Sequence, residues 1–233
     1  MRPLLTILVV FLTACATPPT SPIVPNVLVA DDKILIRGAI TKETASEFKR
    51  AIESAKISKV MLDSGGGNVE AAIQIATLIH KRELDVEVVK NCFSSCANYL
   101  FTAGKNKHIG EQGIVAWHGN AHHMLYLHKT GQKPLNESEF NNFTRLVKLE
   151  ADFFASIATD QFICWFGKLE PFKIRNLYFL SKQDMERFGV KNITVRSNYE
   201  ASDTSYLKAW WGMQNLTYLA VDWNTYTATP PRF

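Results

Sequence analysis

The sequence lacks a hydrophobic run that could cross a membrane as a retained helix. The apolar run Leu4 to Leu12 is too short for this, because a spanning helix needs about 20 apolar residues. The sequence also lacks a large excess of charge of either sign, since the net charge is only +4. This balance is too mild to favour nucleic acid as a partner. With 46% hydrophobic and 21% charged residues, the chain can bury one core and suits a single domain.

The first residues are typical of a secretion signal, with Arg2 before the apolar run and small residues after it. The stretch Leu12-Thr13-Ala14-Cys15 resembles the lipobox of bacterial lipoproteins. The resemblance implies cleavage after residue 14 and a lipid anchor on Cys15. Because Ala16, rather than Asp, follows the cysteine, we expect an outer-membrane protein that faces the periplasm. A plain secretory signal is the alternative.

Composition divides the mature chain into three parts. Residues 15–26 contain four prolines and read as an extended tether behind Cys15. Residues 27–196 form the expected domain. Residues 197–233 are an aromatic C-terminal extension that we expect to pack on the domain or on a partner.

Within residues 27–196, short β-branched runs alternate with segments of helical spacing, a pattern that predicts an α/β domain with a parallel sheet. The expected strands are residues 27–30, 34–36, 60–62, 86–89, 114–117 and 193–195. Three helices are expected directly after Thr41, Asn68 and Ser95, and two more over residues 137–159 and 181–188. In the first of these helices, Thr44 and Glu47 could form a capping box.

Two strand-to-helix junctions are the candidate sites, because ligands collect at the carboxyl ends of parallel strands. The first is Ser64-Gly65-Gly66-Gly67, whose amides could hold an oxyanion or could form a simple tight turn. The second carries Ser94 and Ser95, where a hydroxyl could be a nucleophile or a helix cap. His118 follows a later strand and could serve as the base.

The order and spacing of these elements over residues 34–195 resemble the Clp protease proteolytic-subunit family. The resemblance implies a spiral of ββα units of the Clp-protease/crotonase-like kind. It assigns Ser95 as nucleophile, because Ser95 rather than Ser94 has the family's spacing from Gly104. It also assigns His118 as base and the oxyanion amides to Gly66, Gly67 and Cys96. The stretch Phe179-Leu180-Ser181 adds to the likeness.

The family's acidic third member has no counterpart here. The matching stretch, residues 172–176, contains no carboxylate, and Lys173 has the best-matching place. A Ser-His dyad, a triad completed by Asn176, Asp160 or Glu170, and an inactive site all stay open, because an unoriented histidine can cost about 10⁴ in kcat.

Cysteine is rare, and beyond Cys15 the chain has only Cys92, Cys96 and Cys164. At most one intramolecular disulfide can therefore form, either between Cys92 and Cys96 or between one of them and Cys164. No metal site is expected, because the histidines from His118 to His128 have no Asp, Glu or Cys at ligand spacing.

The sequence thus predicts an envelope-anchored serine hydrolase of the Clp-protease kind that acts on a peptide or protein and can form a homo-oligomer. No cofactor and no nucleic acid are expected. An inactive envelope binding module is the first alternative, favoured by Lys173. Thioester chemistry as in crotonases is the second, and an address away from the coenzyme A pool counts against it.

Overall fold

A computed structural model describes residues 26–207, 216–226 and 231. Cys15, the signal segment and most of the tether lie outside these residues. The strands are β1 Val27–Ala30, β2 Lys33–Ile40, β3 Lys59–Gly67, β4 Asp85–Phe93, β5 Lys107–Ile109, β6 Ile114–Ala116, β7 Tyr178–Phe179, β8 Ile193–Thr194 and β9 Thr217–Tyr218. The α-helices are α1 Lys42–Ser54, α2 Val69–Lys81, α3 Ala121–Lys129, α4 Glu137–Ser156 and α5 Lys182–Arg187, and a π-helix spans Cys96–Phe101.

The main sheet has seven strands in the order β1-β2-β3-β4-β5-β8, with β6 also paired to β4. Only the β1–β2 hairpin is antiparallel, and the other pairings are parallel. The predicted α/β class with a mostly parallel sheet is therefore confirmed. Because parallel strands end at one edge, the turns after β3, β4 and β6 meet there.

The local signals hold in some elements and differ in others. Asn68 caps α2 by accepting from the Ala71 amide, as its position before an apolar helical pattern predicts. Helix α1 follows Thr41 as expected, but its capping box pairs Thr41 with Thr44 instead of Thr44 with Glu47, because Thr41 is the N-cap residue. Helix α3 has no clear apolar periodicity and was not expected.

Residues 216–226 pack on the domain. Strand β9 pairs in parallel with β7, and Leu219 is buried. The Trp223 indole donates to Asp184 of α5 at 2.5 Å and lies beneath the Arg187 guanidinium. This segment thus covers the end of the domain beside β7. In the part of the chain that the structure describes, no helix is long and apolar enough to cross a membrane.

Candidate active site

Two neighbouring parallel strands bring a serine and a histidine together. The last residue of β4, Phe93, is paired with Ala116, the last residue of β6. The Ser94 amide donates to the Ala116 carbonyl at 3.1 Å, so the turn after β4 is tied to the end of β6. His118 follows two residues beyond that strand end, and its Nε2 lies 2.7 Å from Ser94 Oγ.

The Ser94 backbone has φ +55°, in the left-handed region that non-glycine residues rarely adopt. This conformation costs about 1–2 kcal/mol for an L-residue. Of residues 91–100, Ser94 is the one that is not buried. A strained serine that presents its hydroxyl on a sharp strand-to-helix turn is the arrangement of a nucleophile elbow.

The predicted contact of His118 with Ser95 is wrong. Ser95 is 3% exposed, and its hydroxyl donates to the Gly67 carbonyl at 2.8 Å. Its side chain therefore points into the junction between β3 and β4. Ser94 makes the contact with the imidazole that the spacing assigned to its neighbour.

The π-helix explains this one-residue error. Hydrogen bonds in a π-helix join residues five apart, so the helix holds more residues per turn than an α-helix. The helix Cys96–Phe101 therefore accommodates one extra residue between Ser94 and Gly104. Counting back from Gly104 with ordinary helical spacing arrives at Ser95, which is one place too late. Insertions of this kind occur frequently at functional sites.

A disulfide encloses the serine turn. Of the pairings left open by the sequence, the structure contains the one between Cys92 and Cys96, with Cα atoms 5.1 Å apart. Cys164 is free and buried. Because Cys92 belongs to β4 and Cys96 begins the π-helix, the bridge closes the turn that presents Ser94.

The glycine turn lies against the serine turn, but its amides are used differently from the prediction. The Gly66 amide donates to Ser64 Oγ at 3.1 Å and so already has an acceptor. Of the three predicted oxyanion donors, Gly67 is the one that lines the pocket beside Ser94 in the described chain, whereas Gly66 and Cys96 do not. With Ser94 as the reacting residue, the next amide along the chain is that of Ser95.

Gly66 also sets how closely the two turns approach. A Cβ at this position, which has φ +91°, would lie 2.6 Å from the Phe93 carbonyl oxygen and 2.8 Å from the Ser95 nitrogen. Glycine is therefore required here both by the backbone conformation and by the contact with the serine turn.

None of the three predicted third members contacts His118 within the described residues. Asn176 is joined to Lys168, whose Nζ donates to the Asn176 carbonyl at 2.5 Å. Asp160 caps a 3₁₀ turn by accepting from the Phe162 amide. Glu170 forms a surface ion pair with Lys173. Asp160 and Glu170 are thus used elsewhere, whereas the bond from Lys168 engages only the backbone carbonyl of Asn176. Among the described residues, no hydrogen bond joins the Asn176 side chain to His118, so Asn176 as a triad member stays a prediction.

A lysine, rather than an acid, affects the electrostatics of His118, and both residues line one cleft. Partial loss of solvation and then the charge of Lys168 lower the pKa of His118 below its usual value. The pKa of His123 falls to about 4 through burial and then through the charges of Lys168 and His118. Burial lowers the pKa of Lys168 itself to about 8, so it stays mostly protonated at pH 7. Both imidazoles are therefore neutral at that pH.

Two buried polar residues that the sequence analysis missed hold the segment after His118. Asn98 of the π-helix donates its side-chain amide to the Gly119 carbonyl at 3.0 Å. Glu150 of α4 is 0% exposed and accepts from the Ala121 amide at 3.0 Å and from the Tyr99 hydroxyl at 2.5 Å. Burial raises the pKa of Glu150. A lone Glu on the apolar face of a predicted helix was the available signal.

Two cavities adjoin at His118. The first, here called the Ser94 pocket, is largely apolar and is lined by Gly67, Val69, Ser94, Met124, Phe143 and Leu146, among others. The second, here called the Lys168 cleft, has a volume of about 660 Å³ and includes Lys168, Glu170, Lys173 and Arg175. His118, His123 and Met124 line both. Within the described residues, no group of His, Cys, Asp or Glu could hold a metal ion.

Comparisons with known proteins find a distant likeness in structure. No protein-family model matches the chain, and no curated protein matches it. Among solved structures, the chain is similar to a mutant of ClpP1 from Listeria monocytogenes, at 17% sequence identity and a TM-score of 0.43. The match covers 72% of this chain and 93% of that one.

Proposed function

We propose that the protein is a serine acyl hydrolase of the Clp-protease kind that uses Ser94 and His118. The observation that carries the proposal is the distance of 2.7 Å between Ser94 Oγ and His118 Nε2 on a turn where Ser94 has φ +55°. A neutral imidazole at hydrogen-bond distance from a partly exposed hydroxyl is the arrangement that nucleophilic catalysis needs.

The reaction follows from this geometry. The Ser94 hydroxyl attacks the carbonyl carbon of the substrate while His118 Nε2 takes its proton. The negative charge that develops on the carbonyl oxygen is held by backbone amides, for which Gly67 and Ser95 are our candidates. The intermediate then expels the leaving group, which receives the proton from His118, and water releases the acyl group from Ser94 by the same steps.

The proposed substrate is a peptide or protein, and the proposed address is the outer membrane, facing the periplasm, with a lipid on Cys15. The disulfide beside the site is in keeping with an oxidising compartment. Replacing Cys15 with serine should release the chain from the membrane fraction or leave an unprocessed precursor. Normal processing and unchanged fractionation would refute the anchor. Homo-oligomer formation stays a prediction.

The second candidate is a binding module without catalysis. It is favoured by the absence, in the described chain, of a carboxylate beside His118, and by Lys168, which opposes protonation of that imidazole. A serine site without its orienting acid retains only part of its rate.

Hydrolysis of an activated ester and of a labelled casein by the mature chain separates the two candidates. We expect Ser94→Ala to lose at least a hundredfold in rate, because the nucleophile is gone. Ser95→Ala is the control at the neighbouring serine. It should retain measurable turnover, because the Ser95 hydroxyl bonds to the Gly67 carbonyl and does not attack the substrate. Equal rates for wild type and Ser94→Ala on both substrates would favour the binding module.

A further inference from the structure

The Lys168 cleft, which is lined by His118 but not by Ser94, has an excess of positive charge. Glu170 and Lys173 form an ion pair and cancel each other. Lys168 and Arg175 have no ion-pair partner among the residues that the structure describes. The cleft therefore carries two uncompensated cations, beside imidazoles that are neutral.

The charge of Lys168 is held in place by the backbone. Its Nζ donates to the carbonyls of Arg175 at 3.0 Å and of Asn176 at 2.5 Å. An ammonium group has three N–H donors, so one donor is left after these two bonds. The side chain is half-buried, and this makes its charge less screened than that of a surface lysine. Its charge lowers the pKa of both imidazoles, as a second cause after burial.

The chemistry on the two sides of His118 is different. The Ser94 pocket offers apolar side chains such as Val69 and Leu146, whereas the Lys168 cleft offers cations. His118 and His123 line both cavities, so the two cavities are direct neighbours.

We propose that the Lys168 cleft binds a carboxylate of the substrate, while an apolar group of the same substrate occupies the Ser94 pocket. This inference rests on the proposed function, because it names the substrate class of that site. Arg175 has the planar donors that suit a carboxylate, and the spare donor of Lys168 adds a charged hydrogen bond. A bound carboxylate would also offset the field of Lys168 at His118 and so take over part of the role of the missing acid.

The test compares two fluorophosphonates of the same alkyl chain that end in a carboxylate or in the isosteric carboxamide, over a short series of chain lengths. The mature wild-type chain should react about tenfold faster with the best carboxylate probe than with its carboxamide partner, because the neutral carboxamide cannot form the charge-assisted hydrogen bond. The preference should shrink as salt is added.

Variants identify the groups responsible. Lys168→Met should lower the ratio of the carboxylate rate to the carboxamide rate. Arg175→Gln, at a more exposed position, should lower it as well. Lys49→Gln, on the outer face of α1, should leave both rates as they are. Equal rates with both probes in wild type would overturn the carboxylate site but leave the hydrolase intact. Failure of both probes to react would instead count against the proposed function.

Competition by short peptides distinguishes the sources of the carboxylate. A peptide amide that contains Asp and an alanine peptide with a free carboxyl terminus should each slow the labelling if their carboxylate enters the cleft. The corresponding peptide amide without Asp is the control. Protection by the Asp peptide alone assigns a side chain, and protection by the free terminus alone assigns a chain end. Equal effects of all three peptides would contradict the proposal.

Discussion

The two strand-to-helix junctions of the sheet use their serines in opposite ways. Near the end of β3, Ser64 is 1% exposed, donates to the Gly38 carbonyl at 2.5 Å and accepts from the Gly66 amide. After β4, Ser94 is partly exposed, and its hydroxyl lies against His118. The Ser64 hydroxyl is therefore bonded to the backbone around it, whereas the Ser94 hydroxyl is bonded only to the His118 side chain among the described residues. A serine at a junction is thus a candidate nucleophile only when the backbone does not already bind it.

The same contrast separates Ser94 from Ser95 within one turn. The φ of +55° directs the Ser94 side chain outward, while Ser95, with φ −58°, starts the helix and bonds to Gly67. Gly66 keeps the two junctions in contact, and the disulfide closes the second one. The predictions below change one of these features at a time.

The largest expected effect comes from His118→Gln. The second junction then has a hydroxyl without a base, and ester hydrolysis should fall by about a thousandfold. His80→Gln, which alters an exposed histidine at the end of α2, is the control and should not change the rate. An unchanged rate in His118→Gln, measured with the same activated ester, would remove the imidazole from the mechanism.

Gly66→Ala should separate the two junctions. Its Cβ would contact the Phe93 carbonyl oxygen at 2.6 Å, and overpacking of this kind costs about 2 kcal/mol beyond the backbone strain. Gly131→Ala shares a positive φ, +74°, but has nothing within 4 Å of its Cβ. Urea unfolding of both variants therefore isolates the steric part, and equal losses of stability would contradict the close approach.

Reduction of the disulfide between Cys92 and Cys96 should lower the free energy of unfolding by only about 2 kcal/mol, because the loop that the disulfide closes is short. The midpoint of urea unfolding should fall when a reductant is added, and ester hydrolysis should slow as the serine turn loosens. The double variant Cys92→Ala with Cys96→Ala is the control, since its midpoint should not respond to reductant. A response of equal size in both proteins would assign the effect elsewhere.

The smallest expected effect is a shift in the pH profile. His118 must be neutral to accept a proton, and its pKa lies below the usual 6.5, so activity should be lost only below that pH. Lys168→Met removes a charge that disfavours the imidazolium and should therefore move the acid limb to higher pH. His123, Lys173, Glu170 and Arg175 line the same cleft and are unchanged in this variant. A limb that stays in place would show that the Lys168 charge does not reach His118.

The sequence predicts six of the seven strands of the main sheet, because β-branched runs are local signals, but it misses the three-residue strand β5. The cap at Asn68 is likewise a local signal. The sequence also predicts that the turn after β4 faces His118. It does not predict which serine does so, because the extra residue in the π-helix changes no residue type and only shifts the register. Local sequence signals also do not predict that Lys168 and His118 line one cleft. That depends on how the 3₁₀ turn Phe166–Lys168, which is distant in sequence, packs near the end of β6.

The most direct test of the account is to locate a fluorophosphonate adduct on the mature wild-type chain by tandem mass spectrometry. The geometry predicts that Ser94 carries the phosphonate and that His118→Gln greatly slows the labelling. Ser95 should stay unmodified, because its hydroxyl donates to the Gly67 carbonyl within the junction. An adduct on Ser95, or no adduct on either serine under conditions that label other serine hydrolases, would contradict the account.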